Sequence, residues 1–111
     1  MTAHTPGPWS DPVTGVCPVA ETLRLLGGKH GPTLLHCLTG GEMHFLELSR
    51  ALGGISRKVL TEQLRVFEAE GLISRTPKQD ARRRVAYALT PRGQALGAII
   101  VQLYDWSTAR V

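Results

Sequence analysis

The sequence predicts a mainly α fold of the α+β class, in which helices surround a small β-hairpin. A helix with a polar, basic face begins near Ser56, and two short strand patterns follow it. The loop between those strands contains Arg82, Arg83 and Arg84. A helix that can enter a DNA groove, followed by a basic hairpin, is the arrangement of a winged helix-turn-helix.

Length and charge support a small domain that meets a polyanion. A chain of 111 residues favours one domain with one modest core. The net charge is +4, yet nine basic and four acidic residues lie between Ser56 and Arg92, so the basic excess is confined to one third of the chain. Such clustering is expected where one surface binds nucleic acid.

Neither a secretory signal nor a membrane span is recognisable in the sequence. The N-terminus lacks a basic region followed by an apolar run. The longest apolar segment, residues 96–103, is far shorter than the roughly 20 residues of a membrane span. We therefore expect a cytoplasmic protein without a membrane partner.

The first 16 residues are predicted to form a flexible arm ahead of the domain at residues 17–111. Proline, glycine, threonine and serine dominate this arm. Its Trp9 either docks on a neighbouring subunit or is an exposed tail aromatic.

Helical spacing predicts two helices at the start of the domain. Val19, Leu23 and Leu26 recur at that spacing behind Pro18, a residue suited to a first helical turn, and two glycines end this helix. A second helix is predicted to follow Pro32 and to stop at residues 39–41.

The central part of the chain predicts a short strand and two helices. Residues 43–44 suit the strand, and an apolar pattern from Phe45 to Leu52 predicts the third helix. Ser56 is a plausible N-cap of the fourth helix, whose Leu60, Leu64 and Phe67 form an apolar stripe. Gly71 is predicted to close this helix.

A hairpin and a long helix complete the predicted domain. Residues 72–75 and 85–89 suit two strands, and residues 77–84 form the wing between them. Thr90 and Pro91 suit the cap and first turn of the last helix. Its wide apolar stripe comprises Leu96, Ile99, Ile100, Leu103 and Trp106.

Dispersed residues in one order resemble the HxlR-type transcriptional regulators over residues 17–106. The matching residues are Cys17-Pro18-Val19, Leu26-Gly27-Gly28-Lys29, Phe45-Leu46-Glu47-Leu48, Gly54-Ile55-Ser56-Arg57-Lys58-Val59-Leu60-Thr61, Leu64-Arg65, Glu68, Gly71-Leu72-Ile73 and Leu89-Thr90-Pro91-Arg92-Gly93. The resemblance implies a homodimer that binds inverted repeats in DNA and dimerises through its first and last helices. Two departures are His30, where the family usually has Trp, and a wing tip that is basic where the family's is usually rich in proline.

We expect the fourth helix to read double-stranded DNA in the major groove. Its proposed contacts are Ser56, Arg57, Lys58, Thr61, Glu62 and Arg65, with Glu62 either accepting from cytosine or orienting a neighbouring arginine. Arg82, Arg83 and Arg84 are expected to follow the DNA backbone or to enter a narrow minor groove. The alternatives are a solvated amphipathic helix and a solvated run of charges.

A homodimer is expected because one domain carries only one reading helix. The last helix has more apolar residues than a core of this size needs, so part of its surface is expected to meet a second copy. The interface assigned here comprises Leu23, Leu96, Ile99, Ile100, Leu103 and Trp106. Packing within one chain is the alternative.

Cys17 is the candidate redox or electrophile switch. It precedes Pro18 at the start of the first helix, where the helix dipole favours a reactive thiolate. The HxlR resemblance points to the same position as an oxidant or quinone sensor in some members. The alternative is an unreactive capping residue, and Cys37 is expected to be a core residue.

Metal, cofactor and catalytic roles are not predicted. The spacings of His30, His36, His44 and the two cysteines match no ligand framework. Neither a nucleophile elbow nor a phosphate-binding loop is recognisable. The remaining alternative to DNA binding is a winged-helix protein-interaction module whose basic face meets an acidic partner.

Overall fold

The computed structural model describes residues 8–82 and 84–109 of the chain. In this part of the chain five helices surround a small antiparallel sheet. The elements in chain order are α1 (Pro18–Leu26), α2 (His30–Leu38), β1 (Met43–His44), α3 (Phe45–Ala51), α4 (Arg57–Ala69), β2 (Ile73–Pro77), β3 (Val85–Leu89) and α5 (Pro91–Thr108). The predicted winged helix-turn-helix is confirmed.

The sheet has the strand order β1–β3–β2, with both pairs antiparallel. Ile73 lies opposite Leu89 and Pro77 lies opposite Val85, so the predicted hairpin is present. Met43 pairs with Tyr87, which attaches the short strand predicted at residues 43–44 to the hairpin. The base of the wing is therefore joined to the chain that enters α3.

The core lies where α2, α3, α4 and the sheet meet. Its largest fully buried side chains are Phe67, Leu34, Leu35, Leu48, Leu60 and Leu72. Leu60, Leu64 and Phe67 of the predicted α4 stripe are all buried. Burial of this stripe holds α4 against the domain and leaves its other face in solvent.

Helix α2 begins at His30, ahead of the predicted start after Pro32. Pro32 is therefore the third residue of the helix, where its missing N–H would have had no partner within the helix. At the start of α2 the backbone of Gly31 packs closely against Leu26. A Cβ at this position would lie 1.8 Å from the Leu26 carbonyl oxygen, so only glycine fits there.

Strand β2 begins one residue later than predicted and extends two residues further, to Pro77. Proline is tolerated there because β2 is an edge strand of the sheet. The loop of the wing consequently comprises residues 78–84 and is one residue shorter than expected.

The start of α5 is bonded to the joint between α4 and β2. The Thr90 hydroxyl accepts from the Gly93 N–H at 3.1 Å and donates to the Gly71 carbonyl at 2.6 Å. The Thr90 N–H donates to the Leu72 carbonyl at 3.0 Å. A Cβ at Gly93 would lie 1.9 Å from that same Leu72 oxygen, so the helix approaches the joint as only glycine allows.

The described part of the N-terminal arm contains a hydrogen-bonded turn. The Asp11 carboxylate accepts from the backbone N–H groups of Val13 and Thr14, and the Asp11 N–H donates to the Val16 carbonyl. Residues 1–7 lie outside the described residues, and the flexibility of the whole arm stays a prediction. Among the described helices, none combines the length and the apolar composition that crossing a membrane requires.

Candidate nucleic-acid interface

Helix α4 is positioned by a cap at its start and by its buried stripe. The Ser56 hydroxyl accepts from the Val59 N–H at 3.1 Å, which confirms Ser56 as the N-cap. Gly53 and Gly54 form the preceding turn with φ values of 73° and 82°, a region that side-chain-bearing residues rarely adopt. The turn and the cap together set the direction in which α4 leaves α3.

The face of α4 opposite its stripe carries the predicted contact residues in solvent. Ser56, Arg57, Lys58, Thr61, Glu62 and Arg65 are all exposed. Val59 is also 46% exposed, and no contact was predicted for it from the sequence. An apolar side chain beside this polar face can contact the methyl group of a thymine.

Glu62 and Arg65 are brought together on this face. The Arg65 guanidinium lies 3.3 Å from a Glu62 carboxylate oxygen, and both side chains are more than half exposed. Of the two roles predicted for Glu62, this contact favours the orientation of an arginine. The pair contributes little to stability because water and salt screen it.

Arg57 is held by an aromatic ring that the sequence reasoning assigned only to packing. Its guanidinium carbon lies 4.9 Å from the centre of the Phe45 ring. Phe45 begins α3 and is partly buried against the core. A cation above an aromatic face is attracted to it. Phe45 therefore restricts the Arg57 side chain at the start of α4, so that Arg57 would lose less rotamer freedom if it bound a ligand.

The wing places Arg82 and Arg84 in different surroundings. Arg82 is exposed, and the described residues include no ion pair to it. The Arg84 side chain donates to Asp80 from Nε at 3.0 Å, and a second guanidinium nitrogen lies at 3.0 Å from the same oxygen. Arg83, the third predicted wing contact, lies outside the described residues.

A second ion pair joins the wing to the rest of the domain. Lys78 Nζ lies 3.1 Å from a carboxylate oxygen of Glu42, which directly precedes β1. No contact was predicted for either residue from the sequence. A separation of 36 residues hides such a pair from any reasoning about local spacing.

Three of the residues assigned to the dimer interface are exposed in α5. The exposed fractions are 57% for Ile99, 48% for Leu103 and 78% for Trp106. Ile100 is buried and Leu96 partly buried, so these two residues serve the core of the single chain. The predicted stripe is thus divided between a core side and an outer side.

Helix α1 also exposes apolar residues, as the outer side of α5 does. A groove lies between α2 and α5. Leu23 and Val19 are exposed, and only Leu26 of the three apolar positions predicted in this helix is buried. The groove has a volume of about 560 Å³. Its lining residues are Pro32, Thr33, His36, Ile100, Val101, Leu103, Tyr104 and Ser107.

Both cysteines are free thiols and both are partly buried. Cys17 is the N-cap residue of α1, but its side chain makes no capping hydrogen bond. Cys37 packs against the core, and burial raises the pKa of its thiol. No cluster of three His, Cys, Asp or Glu side chains suited to a metal ion occurs in residues 8–82 and 84–109.

The fold and this exposed helix define a winged helix-turn-helix transcriptional regulator. The HxlR-like helix-turn-helix family model matches residues 25–111, so the chain belongs to that family. The HTH-type transcriptional regulator YybR of Bacillus subtilis (strain 168) is 36% identical over 90 residues, which cover 81% of this chain and 72% of YybR.

Solved structures similar to this chain include one of a reduced protein and one of a protein treated with the oxidant diamide. The reduced form of the redox regulator HypR has a TM-score of 0.75 and 34% identity, covering 81% of this chain and 89% of that one. Diamide-treated YodB from B. subtilis has a TM-score of 0.70 and 27% identity, covering 86% of this chain and 98% of that one. The family and these relatives are transcriptional regulators.

Proposed function

We propose that this chain binds inverted-repeat operator DNA as a homodimer, with α4 in the major groove and the wing on the adjacent backbone. The observation that supports this most is the exposed basic face of α4, mounted on a buried stripe beside a basic hairpin. Arg57 and Lys58 can reach phosphates or guanine edges, and Thr61 can add a hydroxyl or methyl contact.

The homodimer is supported by the exposed apolar residues of α1 and α5. Leu23, Ile99, Leu103 and Trp106 together present a surface that a monomer would leave in water. A two-fold axis there would present two copies of α4 to half-sites about one helical turn apart. Sedimentation at micromolar protein tests the dimer, and a monomer mass would refute it.

The DNA-binding role is tested by fluorescence anisotropy on the DNA upstream of the gene and on a scrambled duplex, over a series of salt concentrations. We expect Arg57→Ala with Lys58→Ala to lower affinity for the upstream DNA by roughly 10-fold or more. Arg24→Ala, which removes one exposed cation of α1 outside the proposed DNA contacts, is the control for loss of positive charge. Equal, salt-dependent binding to both duplexes would instead favour the alternative, an interaction module for an acidic protein.

A response to oxidants through Cys17 is a second candidate role, which the similarity to the redox regulator HypR favours. Cys17 is a partly buried free thiol at the start of α1, the helix assigned to the dimer interface. A change in its oxidation state can therefore alter how the two reading helices are spaced. Release of DNA on treatment with diamide should be lost in Cys17→Ser and kept in Cys37→Ser; release from both variants would exclude Cys17 as the sensor.

A further inference from the structure

The loop of the wing is closed by contacts that converge on Asp80. One carboxylate oxygen of Asp80 accepts from the Arg84 backbone N–H at 3.2 Å. The other accepts from Arg84 Nε at 3.0 Å and lies 3.0 Å from a terminal nitrogen of the same guanidinium. Asp80 thus holds both the backbone and the side chain of Arg84.

Further contacts tie this closed loop to the sheet. The Lys78 N–H donates to the Arg84 carbonyl at 2.8 Å, one step beyond the last strand pair. The Lys78 side chain is bound to Glu42 at 3.1 Å. The hydrogen bonds that Asp80 accepts, chiefly from the Arg84 N–H, also lower the pKa of its carboxyl, so the carboxylate is ionised at neutral pH.

The cations of the wing consequently differ in what they can offer to DNA. The charge of a guanidinium that is paired with a carboxylate is already partly compensated, so it neutralises a phosphate less effectively than an unpaired guanidinium does. Arg82 has no such contact within the described residues, and it is exposed two residues from Arg84. Since counterion release follows the charges that neutralise phosphates, the two arginines should differ in their effect on salt dependence.

We propose that Asp80 holds Arg84 as an internal brace of the wing loop, and that Arg82 supplies a contact of the wing with the DNA backbone. Arg84 is in this view a structural residue of the loop and does not neutralise a phosphate. The assignment rests on the proposed DNA binding and separates two arginines that their spacing in the sequence leaves equivalent.

Matched neutral variants test the two roles. Arg82→Gln removes one charge from the proposed contact, whereas Asp80→Asn with Arg84→Gln removes the ion pair, keeps the net charge and retains groups that can hydrogen-bond. In a salt series on the upstream duplex, Arg82→Gln should reduce the slope of log affinity against log salt by about 0.9, the value of one phosphate contact in B-DNA. The double variant should keep the wild-type slope.

A loss of about 0.9 in the double variant would show Arg84 on a phosphate and overturn the assignment. An unchanged slope in Arg82→Gln would overturn it as well. Wild-type protein that binds both duplexes equally would refute the proposed DNA-reading function itself, which the variants' slopes do not decide.

The brace has a readout that is independent of DNA. In the protein without DNA, we expect the Arg84 Nε–H to exchange slowly with water in an NMR experiment and to exchange quickly in Asp80→Asn. Rapid exchange in the wild-type protein would refute the brace even if the DNA measurements agreed. Arg65 is the internal control, because its pair with Glu62 is more exposed than that of Arg84 with Asp80.

Discussion

Helix α4 and the wing carry the same kind of charge but are stabilised differently. Helix α4 is fixed by burial, with Leu60, Leu64 and Phe67 each no more than 3% exposed. The wing is fixed by strand pairing and by ion pairs at its surface. A helix with a buried stripe can expose its cations at little structural cost, whereas a hairpin with few buried residues uses some of its cations to hold its own loop.

The largest effect should come from the buried side of α4. Leu64→Ala removes a side chain that is 3% exposed and should lower the free energy of unfolding by about 2–5 kcal/mol. Denaturant unfolding at fixed protein concentration measures this. The neighbouring Arg65→Ala, on the exposed face, should stay within about 0.5 kcal/mol of wild type; similar losses in both variants would mean that burial does not hold α4.

A smaller effect is expected at the joint between the two regions. Gly93→Ala would place a Cβ 1.9 Å from the Leu72 carbonyl oxygen, so α5 must shift away from the start of β2. We expect a loss of about 1–3 kcal/mol in the free energy of unfolding, the cost of overpacking. The direction of the change in stability is diagnostic, because in an unconstrained helix the replacement of glycine by alanine would instead stabilise the protein by roughly 1 kcal/mol.

Thermal or denaturant unfolding measures the effect of Gly93→Ala, and Gln94→Ala at the next, exposed position is its control. A Gly93→Ala variant more stable than wild type would contradict the close approach of α5 to Leu72.

The cap of α4 should matter less than its stripe. Ser56→Ala removes the acceptor for the Val59 N–H and should cost about 1 kcal/mol of stability. Ser56→Thr keeps a hydroxyl at the same position and should recover most of the loss. Equal losses in the two variants, measured by denaturant unfolding, would show that capping is not the role of Ser56.

The smallest effect is expected where the wing meets β1. Glu42→Gln removes the carboxylate that holds Lys78, but both side chains are about one third to one half exposed. The loss of stability should be at most about 1 kcal/mol at low salt, because surface ion pairs are screened. At about 1 M salt, where the screening length is near 3 Å, the variant and the wild type should converge.

A double-mutant cycle of Glu42→Gln with Lys78→Gln isolates the contribution of this pair. A coupling that persists at high salt would contradict a screened surface pair and would place the wing among the buried parts of the domain.

Much of the fold could be predicted because its signals are local. The serine cap of α4, the helical spacing of its stripe and the glycines that end the helices each act within a few residues. The start of α2 at His30 was not predicted, because Pro32 suggested the first turn of the helix. In the structure the close packing of Gly31 against Leu26 allows His30 and Gly31 to precede Pro32 within the helix. Proline at the third helical position satisfies the same rule about missing N–H groups.

The candidate site was predicted in part for the same reason. Helical spacing alone places Lys58, Thr61, Glu62 and Arg65 on the face opposite the stripe, and the structure exposes all four. The ring beneath Arg57 was missed because Phe45 lies in another helix and fits an ordinary apolar pattern. The same limit applies to the dimer residues: spacing groups Ile99 with Ile100, but only packing decides that Ile100 is buried.

Local sequence patterns are sufficient to predict which segments are helix or strand, which face of α4 is apolar and where the basic residues lie along the chain. These properties follow from spacing, capping and composition, which act between near neighbours. Which cations are paired depends on the folded chain: Glu42 reaches Lys78 across the sheet, and the closed loop turns Arg84 onto Asp80, whereas the described residues include no ion pair to Arg82. Electrostatic contacts depend on distances in space, and folding sets these distances between residues that are not neighbours in the sequence.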